Sequence, residues 1–373
     1  MNFQVGAYYF PNYHVDPRNE ARYGKGWTEW ELVKAARPRF PDHRQPRVPM
    51  WGYVDEADPA VMEMKINAAS DHGIDYWIFD WYWYDDGPFL ERCLERGYFG
   101  AANNRRVKFC CMWANHNWVE IFPAHRGKTH ELLYPGSVTR STFQRIVDHV
   151  VRRYFTHAAH FSIAGRPYFS IYDVKQLITS CGGLDATRRA LDTFREATRK
   201  AGFPGLHLNA VMWGAAYRDR QGKQVDHATV VRRLGFDSVT SYVWIHHVPL
   251  PQLRTDYGAV QEKYFAYWEQ ARRIYDVPYY PNVSVGWDPS PRTDVADTYG
   301  NYGYPFTNTV SGNTPARFRQ ALEATRKRLI AHGGPRILNI NSWNEWTEGS
   351  YLEPDATYRM GYLDAVRAVF GTK

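Results

Sequence analysis

The sequence lacks the marks of several large protein classes. Its four cysteines, Cys93, Cys110, Cys111 and Cys181, form no CxxC pair and no zinc-ligand spacing, so they read as reduced packing residues. No HExxH and no carboxylate-rich calcium loop occurs; no catalytic metal and no cofactor is expected. Neither GxGxxG nor GxxxxGK follows an early strand, and no DxD is present to hold a metal and a nucleotide diphosphate, which weighs against a sugar-nucleotide donor. No apolar run approaches the ~18 residues of a membrane span. The opening Met1 to Val5 lacks the basic start, apolar stretch and small-residue cleavage site of a secretory signal, so a cytoplasmic location is expected.

Charge of one sign is not concentrated either. Lysine plus arginine exceed aspartate plus glutamate by 46 − 39 = 7, with no basic run, so nucleic acid is not an expected partner. A solvated surface is the plain reading of that excess, and a preference for acidic polysaccharide is the other. What the chain has in quantity is aromatic residues, 16% of the total, enough to line a cleft as well as a core.

The 373 residues fit one large domain spanning 1–373. Eight short β-rich runs recur, near Val5 to Phe10, Asp75 to Asp80, Val107 to Trp113, Pro167 to Tyr172, Leu206 to Met212, Asp237 to Tyr242, Tyr279 to Val285 and Arg336 to Asn341. Between them lie stretches with apolar residues at helical spacing, such as Ala60 to His72, Arg140 to His157, Asp185 to Ala201, Gly258 to Tyr275 and Pro315 to His332. Eight such pairs predict an α/β fold, a (β/α)8 TIM barrel, with a doubly wound open sheet as the alternative. Two long βα loops, 11–58 and 286–314, are expected to shape the C-terminal face of the barrel.

The last strand runs into SWNEWTEGSYLEP, Ser342 to Pro354. Glu345 and Glu348 are three apart, and residues i and i+3 on a helical turn share a face about 5 to 6 Å apart. A glycosidase carboxyl pair needs about 5 to 5.5 Å for retention and 6.5 to 9.5 Å for inversion, so both carboxylates could serve a single sugar. Trp343, Asn344 and Trp346 surround the pair with the mixture of rings and polar groups a sugar pocket uses. One glutamic acid would protonate the leaving oxygen, and the other carboxylate would support charge at the reacting sugar or activate a nucleophile. Burial would raise the pKa of the acid.

SWNEWTEG resembles the WNEWxEG signature of the endo-α-mannosidase family of glycoside hydrolases and of the related WbsX-type proteins of bacterial polysaccharide gene clusters. YYFPNYH at the N-terminus and GWTEW at Gly26 to Trp30 look more like the WbsX-type branch, and FDWYW at Phe79 to Trp83 fits both. The resemblance implies that Glu345 deprotonates the sugar's own 2-hydroxyl, which attacks the anomeric carbon to give an epoxide. It also implies that Glu348 serves the leaving group and then the incoming water. That route retains configuration and requires an α-linked sugar with its 2-hydroxyl trans to the leaving group, such as mannose or rhamnose. The pattern departs at Thr347, where the mannosidases often carry histidine, and at Ser350 to Leu352.

A barrel places its site at the C-terminal ends of the strands. The substrate contacts expected there are Tyr8, Tyr9, Asp80, Trp81, Trp83, Trp113, Asn115, His116, Tyr242 and Trp287, together with Trp343, Asn344 and Trp346 of the last strand end. Tyr8 and Tyr9 face opposite ways, so one of them can be core. Glu29 in the first long loop is a further carboxylate with a possible catalytic part, and His246 and His247 read as loop residues rather than metal ligands. The expected partner is a polysaccharide or oligosaccharide, and the expected activity glycoside hydrolysis. A glycosyltransferase of surface polysaccharide synthesis and a non-catalytic glycan-binding barrel are the alternatives.

Overall fold

The alternation of strand and helix patterns is realised as a (β/α)8 barrel, in a computed structural model that describes residues 2–219 and 221–371. The wall consists of parallel strands β1 (Gln4–Tyr9), β2 (Tyr76–Tyr84), β3 (Lys108–Trp113), β4 (Arg166–Ile171), β5 (His207–Val211), β6 (Ser238–Thr240), β7 and β8 (Ile337–Asn341). Strand β7 is interrupted at Pro281 into Tyr279–Tyr280, which pairs with β6, and Asn282–Ser284, which pairs with β8. Proline has no N–H for the ladder, and the chain changes partner at that residue. With β1 paired to β8 and to β2, the strand order follows the chain around the circuit.

Helices α1 (Pro17–Tyr23) and α2 (Trp30–Ala35) belong to the long first loop. The outer layer includes α3 (Pro59–Asp71), α4 (Arg140–His149), α5 (Val174–Cys181), α6 (Leu184–Lys200), α7 (His227–Leu234), α8 (Tyr257–Ile274), α9 (Pro315–His332) and α10 (Gly361–Phe370). The sequence marks their starts: Asp58, Asp173, Asp226, Asp256 and Thr314 each accept a hydrogen bond from a first-turn backbone N–H. Two boundaries differ most from expectation. The helix expected over Arg140 to His157 leaves α geometry at His149 and continues as a wider turn through Val150–Phe155. Strand β2 runs on to Tyr84, beyond the expected Asp80, because the antiparallel segment Gly87–Phe89 pairs with its end.

Strand periodicity decides which side chains reach the site. In β2, Tyr76 faces the barrel interior, where its ring passes over Gly6 of β1 and its hydroxyl donates to Asn339 of β8, 2.8 Å. Trp81 faces outward, and its indole N–H donates to the Tyr154 hydroxyl of the outer layer, 3.2 Å. The interior is unusually polar for a barrel, and several of its groups pair with one another, whereas the buried Asn341 amide has no hydrogen-bond partner among the described residues. Ser170 donates to Asn209, Asn209 to Ser238, and Asn339 to Thr240. Gly6 is required on β1 because a Cβ there would stand 2.4 Å from the Tyr76 ring. Among the described residues, no helix is long and apolar enough to cross a membrane.

Candidate active site

At the C-terminal ends of the strands the chain encloses a cavity of about 460 Å³. Its walls are mostly aromatic or aliphatic, including Phe10, Tyr82, Trp118, Phe122, Tyr172, Trp213 and Trp287. Its acidic and basic groups are Asp80, Arg292, Glu345 and Glu348 with the imidazoles of His116 and His246, and the hydroxyl-bearing Tyr82, Tyr172, Tyr242 and Tyr304 stand among them.

The glutamate pair owes its position to a short tight turn. After β8 the chain forms a 3₁₀ turn, Trp346–Glu348, with Glu345 at its start. Residues three apart nearly eclipse one another in that geometry, so both carboxyls project to the cavity. Gly349 then takes φ +62°, and a Cβ there would lie 2.6 Å from an Arg47 nitrogen. The turn therefore ends at a residue that needs both left-handed backbone and space.

Arg292, from the second long loop, joins the carboxylates. Its Nη2 lies 2.7 Å from Glu345 Oε1 and 2.9 Å from Glu29 Oε1, and its Nε donates to the same Glu29 oxygen at 2.9 Å. Its Nη1 donates to Glu348 Oε1 at 2.6 Å and to the Tyr304 hydroxyl. Tyr304 in turn donates to Glu348 Oε1, 2.7 Å. Glu29 is fully buried and also accepts from Asn12, 2.6 Å, and from the Thr347 hydroxyl. It fixes the guanidinium from behind and does not line the cavity. Glu348 Oε2 has no partner within the protein among the described residues and is left to the cavity.

On the opposite wall the Tyr242 hydroxyl donates to Asp80 Oδ2 at 2.8 Å and lies 3.3 Å from Glu345 Oε2. Burial pushes Glu345 well above the usual carboxylate range, and Glu348, Asp80 and Glu29 push it further, against Arg292. Burial raises Glu348 as well, but Arg292 and the Tyr304 hydrogen bond oppose the rise. Burial also raises Asp80 well above its ordinary value. Neighbouring acids this close titrate as a coupled set rather than singly.

Of the residues singled out from sequence, Glu345, Glu348, Asp80, His116, Tyr242 and Trp287 come together around the cavity. The remainder lie elsewhere, for reasons of strand direction and backbone pinning. Tyr8 points inward one layer lower, with its ring 4.7 Å from that of Tyr242, and forms a floor. Tyr9 points outward and donates to Glu56, 2.9 Å. Trp81, Trp83 and Trp113 occupy the outward positions of their strands and pack towards Tyr154, His149 and Phe143. Asn115 exchanges hydrogen bonds with the Asp173 backbone, 2.8 Å each, and so ties two strand ends.

Trp343 packs outward on Trp77, ring centroids 5.0 Å apart. Asn344 grips both polar groups of the Phe10 residue's backbone, at 2.8 and 2.7 Å. Trp346 stacks on Tyr351 and donates to Glu353, 2.7 Å. Tyr82, Tyr172 and Trp213 were legible as strand ends, and alternation from Asp80 points to Tyr82 directly. Arg292 and Tyr304 had no local signal beyond the length of their loop.

The fold and this cavity define the class: a (β/α)8 barrel with a carboxyl pair at the C-terminal ends of its strands. The chain belongs to the family described as "Glycosyltransferase WbsX", whose model matches residues 5–366. It is 28% identical to the protein WxcX of Xanthomonas campestris pv. campestris strain B100, described as uncharacterized, over 97% of this chain and 48% of that one. The WxcX of strain ATCC 33913 is 27% identical with the same coverage. The chain thus spans about half the length of these curated relatives. Among solved structures it resembles the GH99 endo-α-mannosidase of Bacteroides thetaiotaomicron, with TM-score 0.53 and 14% identity over 98% of this chain and 96% of that one. It also resembles a "Glycoside hydrolase-like protein", with TM-score 0.64 and 16% identity over 100% and 95%.

Proposed function

We propose that this protein is a glycoside hydrolase in which Glu345 and Glu348 form the reacting carboxyl pair. The observation that carries the reading is the pair itself, held side by side on one buried guanidinium, in an aromatic-walled cavity, with one Glu348 oxygen left free. Sugars suit such a wall, because their C–H faces lie on rings while their hydroxyls reach Asp80, His116 and Tyr242. Trp287 would supply one of those rings.

Following the family resemblance, Glu345 takes the proton of the 2-hydroxyl, a role that needs its carboxylate form although burial and its acidic neighbours favour the protonated one, and the resulting oxygen attacks the anomeric carbon as its bond to the leaving oxygen breaks. Glu348 gives its proton to that leaving oxygen. Water then opens the epoxide at the anomeric carbon, Glu348 takes a proton from the water, and Glu345 returns its own to O2. The outcome is hydrolysis with retention of an α-linked, mannose- or rhamnose-like unit of an oligosaccharide or polysaccharide.

The test is a panel of α-mannosides, α-rhamnosides and bacterial surface glycans, read as new reducing ends, with wild type beside Glu345→Gln and Glu348→Gln. Release by wild type that falls about a thousandfold in each variant is expected, in line with the usual contribution of general acid–base groups. Release that survives either change would sink the assignment of the pair. The family's description as a glycosyltransferase favours a second reading, transfer by the same carboxylates. It would appear as net synthesis from a sugar nucleotide in place of hydrolysis.

A further inference from the structure

The protein is basic as a whole, with a formal charge of +7, which invites an acidic polysaccharide as its ligand. The cavity carries the opposite bias. Arg292 is the one permanently charged cation among the described residues that line it. Four of its five N–H groups donate to Glu29, Glu345, Glu348 and Tyr304, and Nη2, which carries the fifth, also lies 2.9 Å from Glu29. Each of its three nitrogens is thus already held against a protein oxygen, so a carboxylate on a ligand would compete with buried protein acids for it. His116 and His246 do not replace it, because burial lowers both, His246 to about 4, and leaves them neutral imidazoles near neutral pH.

Four carboxyls, those of Asp80, Glu29, Glu345 and Glu348, therefore face this single guanidinium or lie beside its partners. However their protons are distributed, the set is neutral or negative unless all four are protonated together. A ligand carboxylate would be desolvated in an apolar cavity against like charge. Burial of that kind is unfavourable without a free cationic partner.

We infer that the sugar unit held in this cavity carries no acidic group: the substrate is a neutral or amino-bearing glycan, and Arg292 is an internal counter-ion rather than a substrate clamp. The inference rests on the carbohydrate reading above and narrows it.

Binding tests it without requiring turnover. Trp118, Trp213 and Trp287 line the cavity and report occupancy by fluorescence. Neutral oligosaccharides of mannose, galactose and glucose are titrated, each beside the same oligosaccharide oxidised at its primary alcohols to the uronate. Rhamnose oligosaccharides form a further neutral arm. The expected result at pH 7 is that neutral members bind at least about tenfold more tightly than their uronate partners, since like-charge juxtaposition is strongly unfavourable.

Val119→Arg, which adds an unspent guanidinium at a half-buried lining position, should narrow that gap at least about threefold by supplying the missing cation. Uronates that bind wild type as tightly as the neutral forms would overturn the inference and leave the carbohydrate reading standing. If no glycan of either charge binds, both fail together.

Discussion

Replacing Arg292 by methionine tests the cluster at its centre. The change keeps much of the apolar stem but leaves buried carboxyls without their cation. Arg292 is 5% exposed and Glu345 2%, so water does not take over the lost contacts. Removing one partner of a buried ion pair typically costs about 3 to 5 kcal/mol.

The cost has a definite pH dependence. Without the guanidinium, burial acts unopposed on Glu345, and on Glu348 against the Tyr304 hydrogen bond alone, so their folded-state pKa values rise further above the unfolded value of about 4.3. The native state then binds more protons than the unfolded state, so stability falls as pH rises through that window. Every pH unit by which a folded-state pKa climbs costs about 1.4 kcal/mol of stability once the pH lies above it. Urea unfolding, followed by tryptophan fluorescence at pH 5 and pH 8, should show a deficit against wild type that is larger at pH 8. Arg292→Lys, which keeps charge but loses the fork, should fall between the two. A deficit under about 1 kcal/mol, or one equal at both pH values, would refute the electrostatic account, since a buried charge left unpaired must show both effects.

Three other perturbations probe the surroundings. Tyr304→Phe removes a hydrogen bond that holds Glu348 down, so Glu348 should rise. The limb of the pH–rate profile that needs a protonated acid should then move to higher pH, by roughly half a unit to one unit; an unmoved limb would detach Tyr304 from the titrating group. Lys65 is fully buried between Glu56 and Glu353, 2.6 Å from each, and Lys65→Met should cost about 3 to 5 kcal/mol in urea unfolding. Adding Glu56→Gln and Glu353→Gln should recover part of that loss, and no recovery would mean the network acts by packing alone. Asp288 would be raised by burial alone, but His43 and Arg47 hold it well below the usual carboxylate range. It stabilises the fold above its unfolded pKa, and that contribution is lost as pH falls, so the Asp288→Asn deficit seen at pH 7 should shrink by about pH 3.

The barrel was legible because its helices are long and amphipathic and their caps stand in the sequence. Which strand residues enter the cavity was less so. In a soluble antiparallel sheet the polar face announces itself, whereas barrel strands are buried on both faces. FDWYW reads as one aromatic cluster, yet Asp80 and Tyr82 face the cavity while Trp81 and Trp83 support the helices outside. The period-two rule separates them once Asp80 is taken as inward. Arg292 was not recoverable in that way, because its partners lie 53, 56 and 263 residues away in sequence.

The WNEW segment also shows why residue types that suit a sugar pocket gather at one strand end without all touching the cavity. Its two faces meet two separate ion clusters. On the inner face Arg292 ties Glu345 and Glu348 to Glu29. On the outer face Lys65 joins Glu56 to Glu353; Glu56 accepts from Asn344, 2.8 Å, and Glu353 from Trp346, 2.7 Å. The residues before and after Glu345 are thus anchored outside the barrel while Glu345 itself is anchored inside. A turn of three residues has few hydrogen bonds of its own to resist the repulsion of two adjacent acids. Opposed anchoring supplies that resistance, because displacing Glu345 inward would break the Asn344 and Trp346 contacts, and displacing it outward would break the contact to Arg292. The tryptophans and the asparagine fix the backbone from which the acids project, which accounts for their presence beside the pair without a sugar in contact with them.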